Sequence, residues 1–266
     1  MPGPFAISPA QLSRLIGLPD CPLLLDVRLD DDFVQDPALI PGSRRIAHDA
    51  VDSAAPNLKA GRAVVICQGG RKLSEGAAAL LRLHGIAAEV LDGGFAAWRA
   101  GGLPAIPAAL IPEPGLWVTR QRPKVDRIAC PWLIRRFIDP GARFLFVAPA
   151  EVMAVAERFD ATPFDIEGVR FSHRGDACSF DALLDDFGLH TTALDRMALI
   201  VRGADTDRHD LAPQAAGLLA LSVGLSRQYR DDLDQLAAGL ALYDALYRWA
   251  RDGFDEGHDW PQGRKA

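Results

Sequence analysis

Along the first hundred residues, short apolar runs alternate with stretches whose apolar positions recur every three or four residues. The runs at 23–27 and 63–66 read as buried strands, because a strand covered on both faces needs no polar alternation. Residues 45–47 and 88–91 read as two more strands. Between them, 73–83 predicts a helix with Leu73, Ala77, Leu80, Leu81 and Leu83 as its apolar positions, and 95–100 predicts a closing helix. Ser8-Pro9-Ala10-Gln11 opens a short helix to about Ile16, with serine as the cap and proline at the first helical position. Residues 31–33 and 37–39 predict a short helix and turn before Pro41-Gly42. Strands separated by helices imply a parallel α/β sheet.

The pattern breaks at 103–115, where prolines fall at 104, 107, 112 and 114. Proline at that density opposes helix and interior strand, so a stiff, extended linker is expected. Beyond it the chain is helix-rich. A strand is expected at 117–119, then an amphipathic helix over 127–138, preceded by Asp126 and interrupted early by Pro131. A strand at 144–147 and helices at 149–158, 180–187, 193–202, 211–226 and 231–251 follow. Gly203 suits a helix C-cap, and Gly217 a close helix contact. A chain of 266 residues exceeds one typical core and predicts two domains, each burying its own. The expected division is 1–106, a proline-rich linker at 107–115, and 116–266.

Composition is that of an ordinary soluble protein, with 49% hydrophobic and 24% charged residues. A net charge of −6 and a pI near 5.5 provide no general attraction to nucleic acid or to an anionic membrane. No helix-turn-helix is visible, so nucleic acid is not an expected partner. The start, Met1-Pro2-Gly3-Pro4-Phe5, lacks a basic region followed by an apolar run, and no apolar segment is long enough to span a bilayer. A cytoplasmic location is expected. Cysteines at 21, 67, 130 and 178 make neither a CxxC pair nor a disulfide framework, so they are expected as reduced thiols.

Candidate chemistry concentrates where the strand at 63–66 runs into Cys67-Gln68-Gly69-Gly70-Arg71-Lys72 and the helix beyond. Two glycines let the backbone N–H groups curl inward around whatever Cys67 holds, with a helix N-terminus behind them. Such a loop favours an anion. A thiolate there gains from the helix dipole and from Arg71 and Lys72, the recipe for a reactive nucleophile. The plainer alternative is a small buried hydrophobe at a strand end.

The flanking residues decide between these. Leu25-Asp26-Val27-Arg28, Leu39-Ile40-Pro41-Gly42-Ser43, the Cys67 loop, Leu91-Asp92-Gly93-Gly94-Phe95-Ala96-Ala97-Trp98 and Gly102-Leu103-Pro104, in that order and spacing, resemble a rhodanese (sulfurtransferase) domain. The resemblance implies a rhodanese-like parallel sheet with Cys67 as the catalytic nucleophile. Its short loop, closed by Lys72 five positions on where arginine is commoner, is similar to the sulfurtransferases. The related phosphatases use a loop longer by one residue, and position 73, where they carry arginine, is Leu73. The implied partners are a small sulfur donor, thiosulfate or a persulfide, and a thiol acceptor, with no cofactor required. Gln68, Gly69, Gly70, Arg71 and Lys72 are expected to bind the donor. Asp26 and Arg28 are counted with the substrate-binding residues, as a buried pair ordering the strand beside the loop.

In the second half, Trp117-Val118-Thr119-Arg120, the string from Lys124 to Phe137, Phe171-Ser172-His173 and Val201-Arg202-Gly203-Ala204-Asp205-Thr206-Asp207 resemble the C-terminal domain of the chromate resistance protein ChrB. That resemblance implies a link to chromate or oxyanion stress without naming a reaction. Read from the residues, Asp126, His173, Asp205 and Asp207 sit at element boundaries, with Cys178 and His209 near them in sequence. A histidine among carboxylates is a candidate site for iron, manganese or zinc, while the same aspartates suit helix caps. Arg120, Arg122, Lys124, Arg127, Arg135 and Arg136 offer a chromate-sized anion pocket, although Arg135 and Arg136 also suit the solvated face of a helix. Cys130 is either a second thiol that takes sulfur from Cys67 or a packing residue. Three functions remain: a sulfurtransferase, a chromate- or sulfur-responsive regulator, and an interaction module.

Overall fold

The computed structural model describes residues 5–113 and 115–257. Met1 to Pro4 and Pro114, on which parts of the leader and linker readings fall, lie outside the described residues. The first half alternates as its apolar pattern requires: β1 (Ala6–Ile7), α1 (Pro9–Ser13), β2 (Leu23–Asp26), α2 (Asp30–Gln35), β3 (Ala38–Leu39), β4 (Ser43–Arg45), α3 (Val51–Ala54), β5 (Arg62–Ile66), α4 (Lys72–Leu83), β6 (Ala87–Leu91) and α5 (Gly94–Ala100). Ser8 caps α1 as expected, its Oγ accepting from the Gln11 amide while the Gln11 side chain accepts from the Ser8 amide. Strands β1, β6, β5, β2 and β4 lie in that order, every pair parallel. Strand β5 is central.

Period-two alternation sends the two faces of this sheet to different cores. Ala63, Val65 and Cys67 pack with Leu25, Val27, Val51, Ala77, Ala78 and Leu81, between the sheet and α3 and α4. Leu24, Val64, Ile66 and Leu91 face the other way, into a cluster that continues through Trp98 and Ile106 to Trp132, Phe137 and Tyr247. The expectation that each half buries its own core therefore holds on one face only. The opposite face of a parallel sheet must also be covered, and the second half covers it. Phe137 accepts from the Gly42 amide at 2.6 Å, and a Cβ on Gly17 would collide with the rings of Phe137 and Tyr247. Leu83, placed on the apolar stripe by spacing, is 82% exposed instead, because it falls on the last turn of α4 beyond the sheet's cover.

The proline-rich segment is extended but anchored: β7 (Ile106–Pro107) pairs antiparallel with β3, and Ile106 is fully buried. Proline fits there because a two-residue edge pair asks for few amide donors. The second half contains β8 (Leu116–Arg120), α6 (Asp126–Leu133), β9 (Arg143–Val147), α7 (Val152–Phe159), β10 (Thr162–Pro163), α8 (Ser179–Phe187), α9 (Thr192–Asp205), α10 (Ala215–Gln228) and α11 (Asp232–Asp252). A small parallel sheet, β10-β8-β9, sits among these helices.

Three expectations here are corrected. The helix predicted over 127–138 starts at Asp126, passes through Pro131 and changes to a π turn at Ile134–Ile138, where the Asp139 amide bonds the Ile134 carbonyl. It is also a central helix, with residues from Ile128 to Leu133 all buried. Gly203 does not end its helix: it lies inside α9, where a Cβ would meet the Arg208 carbonyl at 2.8 Å and Ala215 Cβ at 3.0 Å. Gly217, assigned to close packing, is exposed with open space around it. No helix among the described residues is long and apolar enough to cross a membrane.

Candidate functional site

Cys67 follows the last residue of the central strand, at the carboxyl edge where parallel sheets place ligands. Strand parity turns its side chain toward α4. Cys67 is 5% exposed, and its Sγ accepts from the Arg71 amide at 3.3 Å and lies 3.1 Å from Ser74 Oγ, which in turn donates to the Arg71 carbonyl at 2.9 Å. Of the loop amides from Gln68 to Lys72, this contact brings that of Arg71 onto the sulfur. Gln68 Oε1 is buried without a hydrogen-bond partner, and the Arg71 and Lys72 side chains are exposed beside the loop.

The loop is held from behind. The Cys67 and Gln68 carbonyls accept from the Phe95 and Ala96 amides at 2.9 and 3.0 Å. Gly70 and Gly94, at φ +65° and +60°, press backbone to backbone, and a Cβ on Gly70 would meet the Gly94 and Gly93 nitrogens at 2.6 and 2.7 Å. Glycine is required at both. Asp26 and Arg28 form the expected buried pair, Arg28 Nε donating to Asp26 Oδ2 at 2.8 Å. Arg28 also donates to the Asp36 and Ala38 carbonyls and lies 3.7 Å over the Phe95 ring. With its donors engaged and 2% exposure, Arg28 orders β2 and β3 rather than lining an open substrate site.

Ser74 is the residue that sequence reading missed. It occupies the buried stripe of α4 with Ala77, Ala78 and Leu81, and a hydroxyl at an apolar position was the available signal.

A second cluster lies in the other half. His173 Nε2 stands 3.1 Å from Asp205 Oδ2, 3.5 Å from Asp165 Oδ1 and 3.7 Å from Asp126 Oδ2. Asp126 is delivered by the start of α6 after Val125, a β-branched residue at φ +36°, and Asp205 by the end of α9. Ser179 donates its amide to Asp126 and its hydroxyl to Asp165, while Arg120 and Arg127 reach the outer oxygen of Asp165. Burial, with Asp205 and Asp165 nearby, pushes the Asp126 carboxyl well up; burial also raises Asp205. Burial would raise Asp165 too, but hydrogen bonds from His173, Arg120 and Ser179 hold it below the usual carboxylate range. The hydrogen bond to Asp165, with charge from Asp126 and Asp205, lifts His173 to about 9.

Three of the four expected residues therefore meet, and Asp207 does not. Its side chain is 90% exposed, 3.7 Å from His209, because the turn after α9 points it to solvent at φ +56°. Asp165, a lone acid between Phe164 and Ile166, takes the place it was given.

The six basic residues do not share one pocket. Arg120 and Arg127 are tied to Asp165, and the Arg122 amide is bound by Asp232. Arg135 and Arg136 line a cavity of about 810 Å³ with Arg44, Lys59 and Arg62, at the amino edge of the sheet away from Cys67. Neither is on a solvated face: Arg136 is clamped by Asp244 at 2.7 Å and Arg135 packs over Phe144. Cys130 is fully buried, with its thiol pushed up by burial, and acts as packing.

The cysteine loop at the carboxyl end of the central strand, with every strand of that parallel sheet except β1, lies within residues 8–101, which match the family described as rhodanese-like domain. The chain belongs to the family described as ChrB, C-terminal domain, which matches residues 117–250. Protein ChrB of Cupriavidus metallidurans is 39% identical over 132 residues, which is 49% of this chain and 39% of that protein; the chain thus spans well under half the length of that relative. Among solved structures, a thiosulfate sulfurtransferase from Pseudomonas aeruginosa is 29% identical over 39% of this chain and 19% of its own, with a TM-score of 0.34. A rhodanese-related protein from Thermoplasma volcanium is 24% identical over 38% of this chain and 96% of its own, with a TM-score of 0.33.

Proposed function

We propose that this protein is a sulfurtransferase that carries sulfur as a persulfide on Cys67, working in the setting of chromate or oxyanion stress that its ChrB relationship implies. The observation that carries the reading is the contact of the Arg71 amide and the Ser74 hydroxyl with a nearly buried sulfur at a strand-to-helix turn. Thiolate Cys67 attacks the outer sulfur of thiosulfate; the new S–S bond forms as the S–S bond to the sulfonate breaks, and sulfite leaves with the electron pair. A thiol, or cyanide in an assay, then attacks the outer sulfur and returns Cys67 as thiolate. Loop amides and the α4 N-terminus suit the negative charge that develops on that outer sulfur.

Thiosulfate-dependent thiocyanate formation by the purified chain tests the proposal, and an inactive wild-type protein with every donor tried overturns it. Ser74 sharpens the test. When the thiol ionises, the Ser74 proton can swing from the Arg71 carbonyl to the thiolate. Ser74→Ala is expected to slow sulfur loading roughly 10- to 100-fold, the value of a hydrogen bond to a charged group. An unchanged rate would reduce that hydroxyl to a helix-end contact.

A second reading has its own observation, the cavity lined by Arg44, Lys59, Arg62, Arg135 and Arg136, with Asp20 and Asp139 also on its wall. Under it, the chain responds to chromate held there, and Cys67 serves as a sulfur sensor. Chromate binding that survives Cys67→Ser and is lost in Arg62→Ala supports it.

A further inference from the structure

We infer that Asp126, Asp165, His173 and Asp205 form a binding site for one first-row divalent cation, Mn²⁺, Fe²⁺ or Zn²⁺. The inference is independent of sulfur chemistry at Cys67. It rests first on distance. Nitrogen and carboxylate ligands sit about 2.0–2.2 Å from such ions, so two ligands of one ion are roughly 3.0–3.5 Å apart. The separations from His173 Nε2, at 3.1, 3.5 and 3.7 Å, are at or just above that spacing, and one ligand atom from each of Asp126, His173 and Asp205 lies within 4.8 Å of the other two.

The second ground is an unmet polar demand. Asp126 is 1% exposed, yet its Oδ1 has no hydrogen-bond partner, while its Oδ2 is fixed toward the cluster by the Ser179 amide at 2.6 Å. A buried carboxylate oxygen without a partner is costly, and a cation coordinated by the same carboxylate offsets that cost. Arg120 and Arg127 do not, since both reach the outer oxygen of Asp165.

Third, the site has an approach. Asp165 and His173 border a cleft of about 400 Å³ with Arg120, Glu167 and Ser172, open enough for a hydrated ion to enter. Three oxygens and one imidazole nitrogen form a hard-to-borderline donor set, which selects against Cu⁺ and favours the ions named.

The test uses the full chain, stripped with chelator, dialysed against Mn²⁺, Fe²⁺ under anaerobic conditions or Zn²⁺, and analysed for bound metal, with the electron-spin resonance of Mn²⁺ as a second readout. A single ion per chain is expected. Asp205→Ala and His173→Ala, both outside the deep core, are expected to weaken binding at least about 10-fold while the chelated proteins keep the wild-type circular dichroism. Asp207→Asn is expected to bind as wild type. Occupancy well below one ion with all three metals, unchanged binding in both cluster variants, or an equal loss in Asp207→Asn overturns the assignment.

Discussion

Replacing Cys67 with serine should lower sulfur transfer by more than about a thousandfold and leave the fold unchanged. The oxygen is smaller than the sulfur and keeps a hydrogen-bonding group against the Arg71 amide and Ser74 Oγ, so packing around the loop is preserved. The chemistry is not. A serine hydroxyl is a far weaker nucleophile and does not carry a persulfide. Three measurements go together: thiocyanate production, the mass of one added sulfur atom after incubation with thiosulfate, and the near-ultraviolet circular dichroism spectrum. Wild-type protein should gain that mass and the variant should not. Substantial cyanide-dependent turnover by the serine variant, with native spectrum, rules out Cys67 as the carrier.

Replacing Asp26 with alanine should be the most destabilising single change at the site. Arg28 is 2% exposed, and its guanidinium is neutralised by Asp26, so the substitution leaves a buried cation with carbonyl acceptors from Asp36 and Ala38 and the Phe95 and Phe33 rings but no counter-charge. Breaking a buried pair by removing one partner costs about 3–5 kcal/mol. At roughly 2–4 °C per kcal/mol for a chain of this size, Tm should fall by about 6–20 °C. Because Phe95 also donates to the Cys67 carbonyl, sulfur transfer should decline with the loop's order. Asp26→Asn keeps an acceptor and should lose less. A wild-type urea midpoint in Asp26→Ala would show that the guanidinium is stabilised by its other contacts alone.

The two clusters differ in how far they could be read in advance. The Cys67 loop is contiguous: strand, glycines, cations and helix follow one another within a dozen residues, so spacing alone assembles them. The His173 cluster draws on α6, the segment after β10, the loop before α8 and the end of α9, and nothing in spacing brings residues 126, 165, 173 and 205 together. Asp207 looked equivalent to Asp205 in the string Asp205-Thr206-Asp207. A single turn of backbone separates a half-buried ligand candidate from an exposed side chain.

Amino-acid order by itself determined the strand-helix alternation, the parallel sheet and the place of Cys67 at a strand end, because those follow from local periodicity and turn chemistry. It also carried both family likenesses. Tertiary structure decided which face of the sheet the thiol enters, that Ser74 meets it, that the sheet's other face shares a core with the second half, and that Asp165 completes the histidine cluster. Each of these depends on how elements distant in sequence pack against one another, a choice made by burying the remaining apolar surface and pairing the remaining buried charges.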